Sequence, residues 1–355
     1  MFLPRPRTAL FVPVLWVLAA CGDPDVGLDF EGDVDSTSAA IVGGWAATTE
    51  QIFATVEIRR IGATSGFCSG ALISPLLVAT AAHCVVIEPE PGIVEVAEPG
   101  SLQIVAGHLS SSSVDSSMVR VVIELRVHEA YDHDFIMGRS RTGAGQGGIG
   151  SPNDIALLFL ATSFDGIPNA PMLSPTEAEK LVRHGDVGFV AGYGIYNVDE
   201  DLSGELYISD AIIDILAREE LLTRRPDQMG DSCYGDSGGP FYVPTEYGDF
   251  LVGLVSRGRS DVERDCGDGG VYTLLSAYLP WIEQTAGARF APRLLPETEP
   301  VAFRPAGAQT YIAPLGAELN RIRSCTASQS HTDAPLSAFL LFAGMIWMQR
   351  RASHL

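Results

Sequence analysis

The sequence predicts an all-β body, a barrel or sandwich, closed by a single helix. Three observations carry this expectation. Between residues 41 and 287 the apolar residues fall in short β-branched runs, at 52–59, 102–106, 119–125, 155–160, 188–191 and 250–255. Glycine, proline and serine punctuate these runs, as they do where strands alternate with turns. No apolar pattern of helical period is sustained until 276–284, where one amphipathic stretch ends the region. With 46% hydrophobic residues the chain has the material for a large core, and its 37 glycines follow no three-residue period, which excludes a collagen-like fibre. No internal repeat or low-complexity block interrupts the region.

The flanking segments read as addresses. Arg5 and Arg7 precede an apolar run at 8–20 that is too short to span a bilayer and has the anatomy of an export signal. It ends in Leu18-Ala19-Ala20-Cys21, which resembles the lipobox of bacterial lipoproteins, where the cysteine is acylated and becomes the new N-terminus. The alternative is an ordinary signal with a small-residue cleavage site and an incidental cysteine. Residues 22–40 hold six acids and few apolar groups and are expected to form a flexible acidic pro-segment or tether. After the body, 287–330 is rich in Pro, Ala and Arg and reads as a linker. The final segment, 331–355, contains an apolar stretch at 335–348 before Arg350 and Arg351. As a helix that stretch would extend about 21 Å, short of the roughly 30 Å of a hydrocarbon core. With Cys325 upstream, it resembles the C-terminal sorting tails of some Gram-negative bacteria, especially myxobacteria. A plain short anchor, or a helix packed on the body, are the alternatives.

Acids outnumber bases 44 to 23, and of the net −21 the middle region 41–286 carries −20. A nucleic-acid-binding body would show a basic stripe there, so that class is excluded. The expectation is an exported, soluble body that meets membranes only through its termini, works as a monomer, and resides in the bacterial cell envelope or is released from it.

Four strings narrow the fold: Ile41-Val42-Gly43-Gly44, Thr80-Ala81-Ala82-His83-Cys84, Asn153-Asp154-Ile155-Ala156-Leu157-Leu158 and Gly235-Asp236-Ser237-Gly238-Gly239-Pro240. Together, and in this order, they resemble the trypsin/chymotrypsin family of serine proteases. The resemblance covers nearly all of 41–286, including the closing Tyr278-Leu279-Pro280-Trp281-Ile282-Glu283-Gln284. It implies two six-stranded antiparallel β-barrels with the active site between them and a C-terminal helix.

The residue types suit the chemistry. A serine hydroxyl is a weak nucleophile at neutral pH, so Ser237 needs a base, and an imidazole with a pKa near 6.5 serves. His83 is that candidate; His108, His128, His133, His184, His331 and His354 lie outside the motifs and are expected at the surface. A buried carboxylate must fix the imidazole tautomer, the role assigned to Asp154. The glycines around Ser237 permit positive φ, so that the N–H groups of Gly235 and Ser237 converge on a developing oxyanion. By the same resemblance, Asp236 pairs with the α-ammonium of Ile41 once the chain is cut after Ala40. Cys68 pairs with Cys84, and Cys233 with Cys266, which leaves Cys21 and Cys325 in the terminal segments. Asp231, six residues before the nucleophile, sits where trypsin-like members place the carboxylate at the floor of the primary pocket. Ser232, Ser256, Gly258 and Gly270 complete the expected substrate-binding set.

The sequence also departs from the family. Arg257 stands where a Trp is usual, and the loop 259–265 is long. Two insertions flank the cleft, an acidic Pro-rich one at 88–100 and a Gly-rich one at 136–150. The segment after His108 lacks the paired carboxylates that some relatives use for calcium. No metal or other cofactor is expected. The resemblance implies a serine endopeptidase that hydrolyses protein and peptide substrates after Arg or Lys and is made as a zymogen. Because Ala40 offers Asp231 no charge, a separate protease is expected to cut between Ala40 and Ile41. The competing reading is a catalytically silent surface protein that binds a partner through the same cleft.

Overall fold

The computed structural model describes residues 40–51, 54–139, 148–224, 230–262 and 266–291. The export signal with Cys21, the acidic segment, most of the linker and the C-terminal tail with Cys325 lie outside the described residues.

Twelve strands build two closed antiparallel barrels. The first contains β1 (Thr55–Arg60), β2 (Cys68–Ser74), β3 (Leu77–Thr80), β4 (Leu102–Ala106), β5 (Val119–Val127) and β6 (Ala156–Leu160), paired in the order β1-β2-β3-β6-β5-β4 and closed by β4 on β1. The second contains β7 (Val187–Gly192), β8 (Tyr207–Leu216), β9 (Glu220–Arg224), β10 (Pro240–Thr245), β11 (Gly248–Gly258) and β12 (Gly270–Leu274). Its order is β7-β8-β9-β12-β11-β10, closed by β10 on β7. The two halves therefore share one topology although no sequence repeat marks it. The expected runs coincide with strands to within a few residues; the largest difference is β11, which runs on to Gly258 and carries Ser256 and Arg257 into the cleft.

Barrel closure removes sheet edges and demands inward apolar side chains. In the first barrel Val56, Ile58, Leu72, Leu77, Ile104 and Leu157 fill the interior. In the second, Val190, Ile213, Leu221, Phe241 and Tyr272 do so. The C-terminal helix, Leu275–Ala286, returns to the first barrel, where Tyr278, Leu279 and Ile282 join its core. The body runs past the expected linker boundary. Gly287–Arg289 forms a 3-10 turn, Phe290 is buried in the first core, and the Ser74 hydroxyl donates to the Arg289 carbonyl at 2.8 Å.

One expectation fails. His108 is buried, not at the surface, because it serves Glu57, a buried carboxylate on the face of β1 opposite Val56 and Ile58. A buried charge needs compensating donors. Glu57 takes Arg59 at 2.6 Å and His108 Nε2 at 3.0 Å on one oxygen, and the Ser111 hydroxyl at 2.8 Å and the Gly66 N–H on the other. The Tyr193 ring stacks on His108 at 4.5 Å and its hydroxyl donates to the His108 carbonyl at 2.8 Å, which ties this cluster to the second half of the chain.

Both expected disulfides are present, Cys68 to Cys84 and Cys233 to Cys266, spanning 16 and 33 residues. Loop-closure entropy of that size is worth roughly 3 to 4 kcal/mol per bridge. The double substitution Cys68→Ala/Cys84→Ala is expected to lower stability by about 3 kcal/mol, measured by urea denaturation as a lower midpoint with a steeper slope, because the uncrosslinked unfolded chain exposes more surface.

Candidate active site

His83 lies in a 3-10 turn, Ala82–Cys84, that follows β3 directly. Asp154 ends the segment entering β6 and is buried. Asn153, in left-handed conformation at φ 51°, turns the chain into it. The turn is pinned by the Asn153 amide, which donates to the carbonyls of Ala130 and Ser151 at 2.9 Å, and by the Tyr278 hydroxyl, which donates to its oxygen at 3.2 Å.

The Asp154 carboxylate is saturated by donors. Oδ2 accepts from His83 Nδ1 at 2.8 Å and from the Ser256 hydroxyl at 2.7 Å, while Oδ1 accepts the His83 backbone N–H at 3.0 Å. With a carboxylate on Nδ1, the proton resides there and Nε2 is left as an acceptor. Burial alone would pull the His83 pKa down, but the charge and hydrogen bond of Asp154 outweigh it and hold the imidazole above its ordinary value; Arg257 opposes them. Burial pushes Asp154 up, and the His83 charge with the bonds from His83 and Ser256 brings it below the ordinary range.

Ser237 occupies a tight turn between the barrels. Its carbonyl accepts the Ser69 N–H at 2.9 Å, and the sulfur of Cys84, the neighbour of His83, lies 3.4 Å from the same oxygen as part of the disulfide. Gly238 N–H donates to the Val255 carbonyl at 2.7 Å, and Gly239 N–H to that of Asp236 at 2.7 Å. Gly235 and Gly238 have φ of 93° and 76°, and a Cβ on Gly238 would lie 1.9 Å from Thr80 Oγ1 and 2.6 Å from the Ser69 carbonyl oxygen. Only glycine fits there. Among the described residues, the N–H groups of Gly235 and Ser237 have no partner inside the protein.

Asp236 points away from this turn into the second barrel. Its two oxygens accept the N–H groups of Gly194 and Cys233, each at 2.9 Å. Burial outweighs these bonds and pushes its pKa up to about 7. The turn Ala40–Gly43 packs on the strand Ile195–Asn197, next to Gly194, and buries the Ile41 side chain in the second core. Ile41 has a φ of 34° there.

Asp231 is fully buried at the base of β9, β11 and β12. Tyr272 and Ser232 N–H donate to Oδ1, the latter at 2.6 Å, and the Thr223 hydroxyl donates to Oδ2. Burial raises its pKa against these bonds. Gly258 and Gly270 face each other across β11 and β12, and a Cβ on Gly270 would come within 3.3 Å of Asp231 Oδ1. The Ser256 side chain serves Asp154, and the residue sits at a register shift between Val255 and Arg257, where its backbone leaves the ladder.

The sequence reading missed Glu220, Thr223 and Tyr272. Glu220 forms a buried ion pair with Arg257 at 2.6 Å; in the sequence it is one of two adjacent acids, Glu219 and Glu220, and nothing local marks which of them is buried. The two insertions also meet. The acidic one forms a hairpin, Val86–Glu90 with Ile93–Val96, and Glu88 accepts Arg139 of the Gly-rich one at 2.7 Å. The Gly92 N–H first, and then Arg139, lower the Glu88 pKa to about 2. Cys68, His83 and Cys84 bring ligand-type atoms within 4.8 Å of one another, but the cysteines are joined to each other and neither sulfur is a thiolate.

The family described as Trypsin matches residues 41–282. Over 299 residues the chain is 29% identical to a trypsin of Tyrophagus putrescentiae, covering 79% of this chain and 91% of that protein. It is 27% identical over 255 residues to coagulation factor IX of Cavia porcellus, covering 68% and 80%. With ovochymase of Halocynthia roretzi it shares 27% identity over 293 residues, which is 76% of this chain and only 16% of that longer protein.

The packing around Ser237 sets an expectation. Gly238→Ala should cost more than about 2 kcal/mol through backbone strain and overpacking. Gly100→Ala, where nothing lies within 4 Å of the added carbon, should be neutral to within about 0.5 kcal/mol. Chemical denaturation of both variants checks the contrast.

Proposed function

Since the chain belongs to the trypsin family of serine proteases, we propose that it is an endopeptidase cleaving after Arg and Lys, with Ser237 as nucleophile, His83 as base and Asp154 as its orienting acid. The observation that carries this reading is the buried Asp154 carboxylate bonded to His83 Nδ1 at 2.8 Å, which leaves Nε2 as the acceptor for the serine proton. In the proposed reaction Ser237 attacks the scissile carbonyl as His83 takes its proton. The N–H groups of Gly235 and Ser237 then stabilise the oxyanion, a contribution of about 3 kcal/mol per donor in such sites. The imidazolium returns its proton to the leaving amine, and water repeats the sequence on the acyl-enzyme.

Asp231 supports the substrate assignment. A buried carboxylate held by neutral donors alone gains most from a cation, and a long side chain entering between Gly258 and Gly270 would bring one. The disulfides support an oxidising, exported location, and among the described residues no helix is long and apolar enough to cross a membrane. Attachment through Cys21 or the C-terminal tail remains part of the proposal.

Activation by cleavage between Ala40 and Ile41 has two physical supports. A β-branched residue at positive φ is strained, and cutting its preceding peptide bond abolishes that constraint. Among the described residues Asp236 is a buried acid held by two backbone N–H groups and no cation, next to the place where the new ammonium of Ile41 would form. Ala40 gives Asp231 nothing to bind, so a separate protease preferring small residues makes the cut.

Two outcomes are expected. Ser237→Ala should lower kcat by several orders of magnitude with the fold intact, and Asp231→Ser should abolish the preference for Arg and Lys in a peptide library read by mass spectrometry. Efficient cleavage after Phe or Leu by the wild type would refute the pocket assignment. In the uncut chain Asp236, raised to about 7, contributes stability that is complete below the ordinary carboxylate value and lost as pH rises through about 7. Once cut, the Ile41 ammonium should lower the Asp236 pKa and remove that loss. Melting temperature should therefore fall between pH 4 and 8 more steeply for the uncut protein than for the cut one.

A further inference from the structure

Arg257 and Glu220 form a buried ion pair that crosses β12, since their strands β11 and β9 are not neighbours. The side chains are 8% and 1% exposed, so the pair is shielded from solvent and salt. The guanidinium meets the carboxylate in a fork, Nη1 to Oε1 at 2.6 Å and Nη2 to Oε2 at 2.9 Å. It lies over the Phe135 ring, 5.1 Å from its centre. Two further bonds aim it at the catalytic cleft. Nη2 donates to the Gly148 carbonyl at 2.8 Å, and Glu220 Oε2 accepts the Gly150 N–H at 2.7 Å, so the pair holds the segment that leads into Asp154. Nη1 also donates to the Ser256 hydroxyl at 3.1 Å, and that hydroxyl donates to Asp154 Oδ2 at 2.7 Å.

A hydroxyl carries one proton, and its direction is set by its neighbours. With an Arg257 N–H occupying a lone pair, the Ser256 proton is committed to Asp154. The result is a continuous chain of alternating character from Glu220 through Arg257, Ser256 and Asp154 to His83. We propose that Arg257, anchored by Glu220, is a positioning residue of the active site that fixes the Ser256 hydroxyl and the Gly148–Gly150 segment on Asp154. The inference rests on the triad reading above. A second consequence is electrostatic: in a buried site the Arg257 cation opposes the imidazolium of His83, and Glu220 tempers that opposition. The other groups around His83 are Asp154, from the segment entering β6, and beyond it the phenol of Tyr131, which burial and the charge of Asp154 hold above its ordinary value.

The test reads His83 directly. In the full chain labelled with 13C-histidine, the His83 resonance is identified by its loss in His83→Gln and its pKa is followed by NMR; kcat/KM against pH is measured on the same proteins cut before Ile41. Arg257→Met should raise the His83 pKa, and move the acid limb of the rate profile, by about 0.5 to 1 unit toward alkaline pH. Glu220→Gln should move both in the opposite direction. Arg257→Lys should keep the pKa near that of the wild type, yet lower kcat roughly tenfold because one ammonium cannot reproduce the fork. A structural role alone predicts loss of folded protein without opposed pKa shifts. If Glu220→Gln does not fold, the apolar double substitution Arg257→Met/Glu220→Met replaces it, with a pKa expected between the wild type and Arg257→Met. An unmoved His83 pKa in Arg257→Met, or shifts of one sign in both single variants, would overturn the proposal. Absence of hydrolysis by the wild type would overturn the functional reading instead, and the NMR titration would still decide this one.

Discussion

The structure around the cleft depends on keeping one carboxylate charged without water. Asp154 is buried, and an isolated ionised acid there would cost several kcal/mol. Its donors come from both barrels: His83 after β3, Ser256 on β11, and the Thr273 hydroxyl of β12, which donates to its backbone carbonyl at 2.9 Å. Satisfying this group therefore requires the two barrels to dock in one register. The His83 tautomer and the position of the Ser237 turn follow from that docking, because Ser69 of β2 holds the Ser237 carbonyl.

The same principle recurs at four other buried acids. Glu57 gathers Arg59, His108, Ser111 and Gly66; Asp231 gathers Tyr272, Thr223 and Ser232; Asp236 gathers the N–H groups of Gly194 and Cys233; Glu220 gathers Arg257 and Gly150. They differ in what they hold. Glu57 and Glu220 have a guanidinium, and their sites are electrically closed. Among the described residues Asp231 and Asp236 have only neutral donors, and both carboxyls are pushed upward by burial. Those are the two sites to which the proposed function brings a cation, from substrate in one case and from the newly cut chain in the other.

The departures from the family pattern cluster on one side of the cleft. Arg257, the Gly-rich insertion and the acidic hairpin are joined through Glu220, Gly148, Gly150, Glu88 and Arg139. Of these contacts, Arg257 to Glu220 is buried, and Arg139 to Glu88 is solvent-exposed and worth little by itself. Rigidity on this side therefore comes from the buried pair, and the exposed pair follows the insertions that carry it.

Six of the twelve barrel strands were legible because apolar runs between turn residues encode burial locally, and the two-barrel arrangement was legible through the family resemblance of the four strings. His83, Asp154 and the Ser237 turn were legible because short contiguous strings encode each turn, as the Gly238 contacts with Thr80 and Ser69 illustrate. His108 was misplaced and Glu220 overlooked for one shared reason. Each is defined by a partner far away in the chain, Glu57 at a separation of 51 residues and Arg257 at 37. A side chain's polarity says only that it needs a partner if buried. By itself the sequence determined half of the barrel strands, the local turns and the set of chemical groups at hand. Tertiary structure alone decided which buried acids were matched by a guanidinium and which by neutral donors among the described residues, because that matching is settled when barrel closure and docking exclude water from groups distant in the chain.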